Sequence, residues 1–293
     1  MRRFDERAEG ITLTTHEATH GPAPESAPEP APDSESPVAP KAAIGSTGLK
    51  FAGWLLHLYT AVGVVFGFLI VVAAFQGDIE QALWLSLIAL IIDGTDGMTA
   101  RYLRVSETIP SFDGARLDDI VDYLTYAFAP MVLLWTTGRL PDGWLGKLVA
   151  VLPLIASCYQ FCRTDAKTAD HFFLGFPSYW NVVAFYVFVL DLGSATTAVI
   201  LLACTVLVFV PIRYVYPSRT KVLRGVNIAL TTVWLVTYAI LLVQMPDTNA
   251  VVVALSFAYL AYYVGLSIYL SWVLPRLPAK RLSKDAIAAE LDD

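Results

Sequence analysis

The sequence predicts an all-α polytopic membrane protein with about eight transmembrane helices. Of its 293 residues, 56% are hydrophobic and 16% are charged, whereas a soluble domain is nearer half apolar and a quarter charged. From Trp54 onward, apolar stretches of spanning length follow one another, with short polar loops between them. About 20 apolar residues cross a bilayer core, where a helix satisfies its own backbone polar groups. These stretches therefore indicate helices that span a membrane.

The predicted spans follow from the apolar stretches in order. They cover about residues 54–75, 82–103, 113–137, 144–162, 178–191, 195–214, 225–244 and 250–274. The fifth span is short, and the residues from Asp191 to Ser194 leave little room for the turn into the sixth. We place the transmembrane domain at residues 47–275.

Both ends of the chain are predicted to be tails outside the membrane. Residues 1–46 contain seven prolines between Pro22 and Pro40, several acidic residues and almost no large apolar ones. Such a segment cannot bury enough surface to offset the entropy lost on ordering, so we expect disorder. Residues 276–293 form the second tail. The chain has no basic patch or stripe that would indicate a nucleic acid partner.

The distribution of Lys and Arg predicts which side of the membrane each loop occupies. With the N-terminus in the cytoplasm, the inward loops hold most of the basic residues: Arg101, Arg104, Arg116, Arg163, Lys167, Arg213, Arg219, Lys221 and Arg224. The opposite loops hold Arg139 and Lys147. Because cytoplasmic loops carry an excess of basic residues, both termini are expected to be cytoplasmic.

Four aspartates lie inside predicted spans, where a carboxylate at mid-helix costs about 2.5–3.5 kcal/mol on insertion scales. Asp93 and Asp96 share one stripe of the second span, at i and i+3. Asp118 and Asp122 share one stripe of the third, at i and i+4. Face to face near the cytoplasmic ends, the two stripes would bring four carboxylates together. Asp119 points roughly a hundred degrees away and is expected outside this cluster.

The predicted cluster indicates a divalent metal site, since four carboxylates repel one another strongly unless cations lie among them. Oxygen ligands without His or Cys favour Mg²⁺ or Mn²⁺ over Zn²⁺. Two metals a few ångströms apart are the usual clamp on a diphosphate. We therefore expect two Mn²⁺ or Mg²⁺ ions here.

Small residues and one arginine lie on the same stripes as the acids. The small residues are Gly97, Ala100 and Gly114. They would let a nucleotide diphosphate approach the backbone, or they would allow close helix packing, which also favours small residues in lipid. Packing is the preferred explanation for Gly63 and Gly67 in the first span. Arg101 would hold a phosphate or neutralise an aspartate.

These residues resemble the signature of the CDP-alcohol phosphotransferase family, D-G-x2-A-R, a spacer, and G-x3-D-x3-D. Every position is filled, and Asp93 precedes the motif. The resemblance implies that Asp93, Asp96 and Asp118 bind the metals. It also implies that Asp122 is the base that deprotonates the acceptor alcohol, with a possible metal contact of its own. The residues expected to bind the CDP-lipid are Gly97, Ala100, Arg101 and Gly114.

The spacer identifies a branch of that family. It has twelve residues, Tyr102 to Asp113, and is longer than in most members. Pro110 makes the extra turn a loop rather than longer helix. This spacer, together with the run from His171 to Asn181, is similar to bacterial phosphatidylcholine synthases. Over about residues 50–275, the resemblance implies transfer of the phosphatidyl group of CDP-diacylglycerol to choline, release of CMP, a preference for Mn²⁺ and a location in the bacterial inner membrane with a cytoplasmic active site.

Aromatic residues near the acids are candidates for binding choline, because aromatic faces attract a quaternary ammonium. The candidates are Tyr126, Tyr123, Trp180 and Tyr179. Tyr126 lies one turn beyond Asp122 on the same stripe. The alternative is an ordinary interfacial belt of Tyr and Trp. The expected partners are thus CDP-diacylglycerol, choline and the lipid bilayer, and a homodimer is possible.

Two other functions stay open. The same chemistry could use serine, inositol or glycerol phosphate as the acceptor, although the last two would favour more cationic groups in the pocket. Alternatively, the acids could line a path for divalent cations. A transporter would more typically show inverted repeats with ligands from both halves of the chain, whereas here all the acids come from one pair of helices and no repeat is evident.

Overall fold

The protein is described by a computed structural model that covers residues 45–168 and 170–273. Both predicted tails, 1–46 and 276–293, lie outside these residues except for Gly45 and Ser46. The described chain consists mainly of helices, whose bounds are α1 Thr47–Gln76, α2 Ile79–Tyr102, α3 Val105–Thr108, α4 Gly114–Asp122, α5 Ala129–Thr136, α6 Gly143–Cys162, α7 Trp180–Val189, α8 Ser194–Phe209, α9 Arg224–Gln244 and α10 Ala250–Val273.

The helices agree with the predicted fold class. Five of them, α1, α2, α6, α9 and α10, are long and apolar enough to cross a membrane, and α7 and α8 are shorter apolar helices. The helical backbone of α4 continues without interruption through a π-helical segment, Tyr123–Phe128, into α5. The chain is a multi-pass membrane protein, and the number of eight spans remains a prediction.

Helix α1 packs against α2, α4 and α5. It begins at the N-cap Ser46, whose hydroxyl accepts from the amide of Leu49, and ends at Gly77, whose φ of 73° suits glycine. A Cβ on Gly63 would overlap Val121, and one on Gly67 would touch Thr125 at 3.5 Å. The prediction that these two glycines serve helix packing is therefore confirmed.

The fifth predicted span corresponds to α7, which is short and central. Eight of its ten residues are buried, as expected for a helix that is apolar on all sides. Phe185 stacks on Tyr238 of α9 with ring centroids 3.5 Å apart. In the tight turn after α7, Asp191 adopts a φ of 49° and pairs with Arg139 at 2.7 Å. This contact joins the α7–α8 turn to the α5–α6 turn.

A small antiparallel sheet accompanies the helices and was not predicted from the sequence. Strand β1, Phe172–Leu174, pairs with β2, Arg213–Val215. The hydroxyls of Ser271 and Ser267 on α10 accept from the amides of Arg213 and Val215, at 2.7 and 3.1 Å. The sheet thereby links the α6–α7 loop, the α8–α9 loop and α10.

Candidate functional site

Three of the four predicted aspartates come together. Asp93 of α2 and Asp118 and Asp122 of α4 each offer one carboxylate oxygen, and these oxygens all lie within 4.8 Å of one another. We call these residues the acidic trio. The i, i+4 spacing places Asp118 and Asp122 on one face of α4, and α2 supplies the third carboxylate from the opposite side.

The donor set of the acidic trio fits a divalent metal ion. Among the described residues, no basic side chain lies within 4.0 Å of its carboxylates. Three partly buried carboxylates this close together repel one another when ionised, a bound cation would relieve this repulsion, and oxygen ligands favour a hard cation. The trio can therefore bind a divalent metal ion such as Mg²⁺ or Mn²⁺.

Asp96 is not part of the trio and contacts α1 instead. The Thr60 hydroxyl donates to the Asp96 carboxylate at 2.7 Å, and both side chains are buried. Beside this contact, the hydroxyls of Tyr59 and Thr95 lie 2.9 Å apart. Two polar contacts thus fix α2 against α1 at the motif. The expected convergence of four acids is observed for three, with Asp96 oriented by Thr60.

Asp119 lies outside the trio, in agreement with its position on the helix. Its carboxylate lies 3.5 Å from the ammonium of Lys167, which comes from the loop between α6 and β1. Burial lowers the pKa of Lys167, but the negative charges of Asp119 and Asp118 outweigh this effect, so the pKa lies above its ordinary value. Lys167 therefore stays protonated next to the acidic trio.

The π-helical segment after Asp122 carries Tyr126 into the site. Its hydroxyl donates to the Asp93 carboxylate at 2.5 Å. Such wider turns are frequent at functional sites. The ring of Tyr179 meets that of Tyr126 edge to face, with centroids 6.1 Å apart, and Phe173 meets Tyr179 in the same way at 6.5 Å. The rings of Tyr126 and Tyr179 thus lie next to the trio, and we call them the aromatic wall.

The other two aromatic candidates lie elsewhere. Trp180 is fully buried, and its indole N–H donates to the Ser157 hydroxyl at 2.7 Å. Tyr123 faces Phe161 of α6, with ring centroids 6.4 Å apart. Since the two side chains pack against α6, the structure does not bring them to the wall formed by Tyr126 and Tyr179.

The small residues of the motif have different surroundings. A Cβ on Gly114 would lie 2.7 Å from Cε1 of His57, so this glycine allows α4 to pack on α1. Ala100 packs against a cluster around Leu56. Near Gly97 the atom closest to a Cβ would be Nη1 of Arg101, at 3.4 Å. Close packing thus explains Gly114, whereas the backbone at Gly97 meets only a flexible side chain.

Arg101 forms no ion pair with any described carboxylate. Of the two roles expected for it, neutralising an aspartate has no support from a contact. An arginine without a carboxylate partner, on the stripe of Asp93 and Asp96, is free to bind an anion.

Several residues of the site were not predicted from the sequence. Thr60 and His57 lie on α1, more than thirty residues before the motif, and Lys167 lies 45 residues after its last residue, Asp122. Tyr216 stacks on Phe173 with ring centroids 4.5 Å apart. A polar residue within the apolar first span was a usable signal for Thr60 and His57. No local pattern distinguished Lys167 or Tyr216 from other loop residues.

Comparison with known proteins identifies the family to which these site residues belong. Residues 55–211 match the model of the CDP-alcohol phosphatidyltransferase family. The chain is 39% identical over 237 residues to the phosphatidylcholine synthase of Legionella pneumophila, covering 78% of this chain and 92% of that protein. For the phosphatidylcholine synthase of Legionella bozemanae, the identity is 41% over 205 residues, covering 68% of this chain and 94% of the relative.

A third relative comes from a different genus. The phosphatidylcholine synthase of Pseudomonas aeruginosa is 37% identical over 223 residues, which are 76% of this chain and 93% of that protein. The region that matches the family model contains both halves of the aspartate motif and covers more than half of the chain. This protein therefore belongs to the CDP-alcohol phosphatidyltransferase family, whose members are enzymes.

Proposed function

We propose that this protein is a phosphatidylcholine synthase that transfers the phosphatidyl group of CDP-diacylglycerol to choline and releases CMP. The observation that carries the proposal is the acidic trio, with carboxylate oxygens within 4.8 Å of one another, beside the rings of Tyr126 and Tyr179. The first element suits a diphosphate with its metal ions, and the second suits a quaternary ammonium. The names of the relatives support the same acceptor.

The metal ligands in this proposal are Asp93, Asp96, Asp118 and Asp122, holding two Mn²⁺ or Mg²⁺ ions. Bound ions would neutralise the negative charge of the diphosphate and of the departing CMP. Thr60 orients the Asp96 carboxylate through its 2.7 Å hydrogen bond, and Tyr126 orients that of Asp93.

Asp122 accepts the proton of the choline hydroxyl as that oxygen attacks the phosphatidyl phosphorus. The new bond joins the choline oxygen to phosphorus. The bond between phosphorus and the oxygen of the CMP phosphate breaks, and CMP leaves with the electron pair. Direct attack inverts the configuration at phosphorus, whereas a phosphatidyl-enzyme intermediate would retain it.

Arg101 and the small residues of the motif hold the CDP-lipid. Arg101, which has no carboxylate partner among the described residues, binds a phosphate oxygen. The open backbone at Gly97 allows the diphosphate to approach α2, with Ala100 one turn later. Gly114 contributes by letting α4 approach α1 at His57, which sets the distance between the two motif helices.

The protein acts in the bacterial inner membrane, with its active site and both termini in the cytoplasm. The acyl chains of the substrate stay in the bilayer while the diphosphate reaches the site from the side of the basic loops. The domain boundaries follow as 1–46, 47–275 and 276–293. Assembly as a homodimer is part of the same proposal, and the mass of the detergent-solubilised particle checks it.

The decisive experiment identifies the lipid product. Purified protein receives CDP-diacylglycerol labelled in its phosphatidyl group, Mn²⁺ and one acceptor at a time: choline, ethanolamine, serine, inositol or glycerol 3-phosphate. Phosphatidylcholine, formed with release of CMP, is the expected product. A preference for serine or inositol would overturn the acceptor, and the Asp118→Asn variant serves as the inactive control. Ion flux into vesicles without any lipid product would favour a transporter instead.

A further inference from the structure

We propose that Lys167 binds a phosphate oxygen of CDP-diacylglycerol and that Asp119 positions it beside the acidic trio. This inference rests on the proposed function and deepens it. It assigns a role to two residues that the family motif leaves without one: a loop lysine, and the aspartate between the two motif positions of α4.

The geometry brings these two residues to the rim of the site. The Lys167 ammonium lies 3.5 Å from a carboxylate oxygen of Asp119. The negative charges of Asp118 and Asp122 also act on this ammonium, so it lies near the trio, although no oxygen of the trio is within 4.0 Å of it. The side chain of Lys167 is 44% exposed and that of Asp119 is 34% exposed. A ligand approaching the trio can therefore reach the ammonium.

The loop that carries Lys167 is braced by strand β1. Lys167 forms an isolated antiparallel bridge with Phe173. The amide of Leu174 donates to the carbonyl of Ala166 at 2.9 Å, and the amide of Thr168 donates to that of Phe172 at the same distance. These bonds fix the backbone on both sides of the lysine, so the fold determines the point from which its side chain extends.

The positive charge of Lys167 suits it to bind the anionic diphosphate of the substrate. A lysine ammonium has three donors and binds phosphate as a point charge. Asp119 occupies one of these donors, at a distance typical of a loose ion pair. A diphosphate bound at the trio would offer oxygens that the remaining donors can reach, so substrate binding adds contacts without removing Asp119.

The alternative role for Lys167, balancing the charge of the trio, predicts different effects on metal and substrate binding. If Lys167 only balanced the charge of the trio, it would compete with metal ions. Removing it would then strengthen metal binding and leave the affinity for CDP-diacylglycerol unchanged. If it binds the substrate, removing it weakens CDP-diacylglycerol binding at any saturating metal concentration.

The first test compares Lys167→Met with Lys167→Arg in the full-length purified protein. Methionine removes the charge, and we expect the KM for CDP-diacylglycerol to rise roughly tenfold to a hundredfold, the scale of a hydrogen bond to a charged group. The KM for choline should change by less than about twofold, since the ammonium contacts the donor substrate. Arginine keeps the charge and should recover most of the affinity. Lys147→Met, an exposed lysine near the start of α6, is the matched control and should behave as wild type.

Binding without turnover gives a second readout. CDP-diacylglycerol, added in mixed micelles with Mn²⁺ but without choline, should raise the melting temperature of wild type and of Lys167→Arg. For Lys167→Met the same shift should require a roughly tenfold higher lipid concentration or more. A titration of Mn²⁺ alone, followed by the same measurement, detects any change in metal affinity.

The positioning role of Asp119 is tested by a double-mutant cycle. Asp119→Asn alone should raise the KM for CDP-diacylglycerol less than Lys167→Met does, because the lysine keeps its charge but loses its anchor. Lys167→Met/Asp119→Asn should be no worse than Lys167→Met, since Asp119 acts through Lys167. Fully additive losses would overturn the positioning role.

The outcomes separate this inference from the function on which it rests. If wild type forms no phosphatidylcholine, the proposed function fails. If wild type forms it and Lys167→Met stays within about twofold of wild type in CDP-diacylglycerol KM and binding, or if the variant only binds Mn²⁺ more tightly, the inference is wrong. If Lys167→Met does not fold, Lys167→Gln decides. Loss of donor affinity in Lys167→Gln, with choline KM unchanged, supports the inference, and wild-type donor affinity overturns it.

Discussion

At the scale of single residues, identical side chains acquire different roles from their neighbours. Asp93, Asp118 and Asp122 face one another and have no basic partner within 4.0 Å among the residues that the structure describes. Asp96, three residues after Asp93, accepts from the buried Thr60 hydroxyl, and Asp119 pairs with a lysine. The trio thus concentrates uncompensated negative charge, which is what makes it a place for cations.

Asp118→Asn tests the trio directly. The change removes a charge and a metal ligand but almost no volume, so the fold should persist while turnover falls by more than roughly a hundredfold, the upper range for mutating an outer-shell partner of a metal ligand. Activity is measured across a Mn²⁺ titration, and the melting temperature in detergent reports folding. Asp142→Asn, at an exposed N-cap without a side-chain capping bond, is the control and should keep full activity. Substantial turnover by the Asp118 variant would count against the metal site.

Tyr179→Leu tests the binding of choline by the aromatic wall. If the ring contacts the trimethylammonium, its loss should raise the choline KM roughly tenfold, since one cation–π contact is worth about 0.5–2 kcal/mol. The KM for CDP-diacylglycerol should barely change. Tyr269→Leu removes an exposed aromatic side chain of α10 and tests the interfacial-belt alternative. Equal effects of the two substitutions on choline KM would contradict a specific wall at Tyr179.

The roles of the ring and of the hydroxyl of Tyr126 can be tested separately. Tyr126→Phe keeps the ring and removes the 2.5 Å hydrogen bond to Asp93. We expect it to lower kcat while leaving the choline KM within about twofold of wild type, because the cation–π contact depends on the ring. Tyr126→Leu should raise the choline KM as well. Steady-state kinetics with choline as the varied substrate distinguish the two variants, and identical KM values for both would remove Tyr126 from the choline site.

At the scale of helices, α1 packs against both motif helices and supports them, although it contributes no aspartate to the site. Gly63 and Gly67 admit side chains of α4 and of the π-helical segment, and Thr60 reaches Asp96 on α2. His57 lies beneath Gly114 and packs against Phe112, with ring centroids 4.5 Å apart. The separation of the two motif helices therefore depends on a third helix.

Gly114→Ala should destabilise this packing. The new methyl group would lie 2.7 Å from Cε1 of His57, and overpacking costs typically about 1–3 kcal/mol. We expect a lower melting temperature in detergent. Gly225→Ala, near the start of α9 with nothing within 4 Å of its Cβ position, is the matched control and should be neutral or slightly stabilising.

His57→Ala should partly suppress the effect of Gly114→Ala, because it opens the space that the methyl group needs. The double variant should be more stable than the sum of the two single losses predicts. Strict additivity would show that the contact between His57 and Gly114 does not limit the approach of α4 to α1.

At the scale of the whole molecule, the groups of the site come from elements that meet at one end of the helices. The second half of α2, helix α4 and the loops joined by β1 and β2 lie together there. The turns at the opposite end carry the Arg139–Asp191 ion pair. Because the basic loops lie at the site end, the proposed topology places that end in the cytoplasm, following the inside-positive rule.

Single-cysteine labelling tests this orientation. In a background without Cys158, Cys162 and Cys204, a cysteine at the exposed Asp247 should react with a membrane-impermeant maleimide in intact spheroplasts. One at the exposed Thr164 should react only after the membrane is opened. The basic bias of the loops is the reason for this expectation. The reverse pattern would invert the proposed topology.

The sequence by itself determined the class of fold and the chemistry of the motif. Long apolar stretches require helices in lipid, so the boundaries of α2, α6, α9 and α10 follow closely from composition, whereas α1 begins at Thr47, before its predicted span 54–75. Helical periodicity likewise placed Asp118 and Asp122 on one face and Asp119 off it. Both kinds of inference depend on neighbours along the chain, which a sequence displays directly.

Only the tertiary structure decided which distant groups meet at the motif. It turned Asp96 toward Thr60, brought Lys167 to Asp119, packed His57 under Gly114 and buried Trp180 in the core. It also introduced the π-helical segment that presents Tyr126 to Asp93. Contacts between side chains far apart in the chain depend on how helices rotate and slide against one another, and small residues and shape set that packing. Periodicity within one helix carries no information about it.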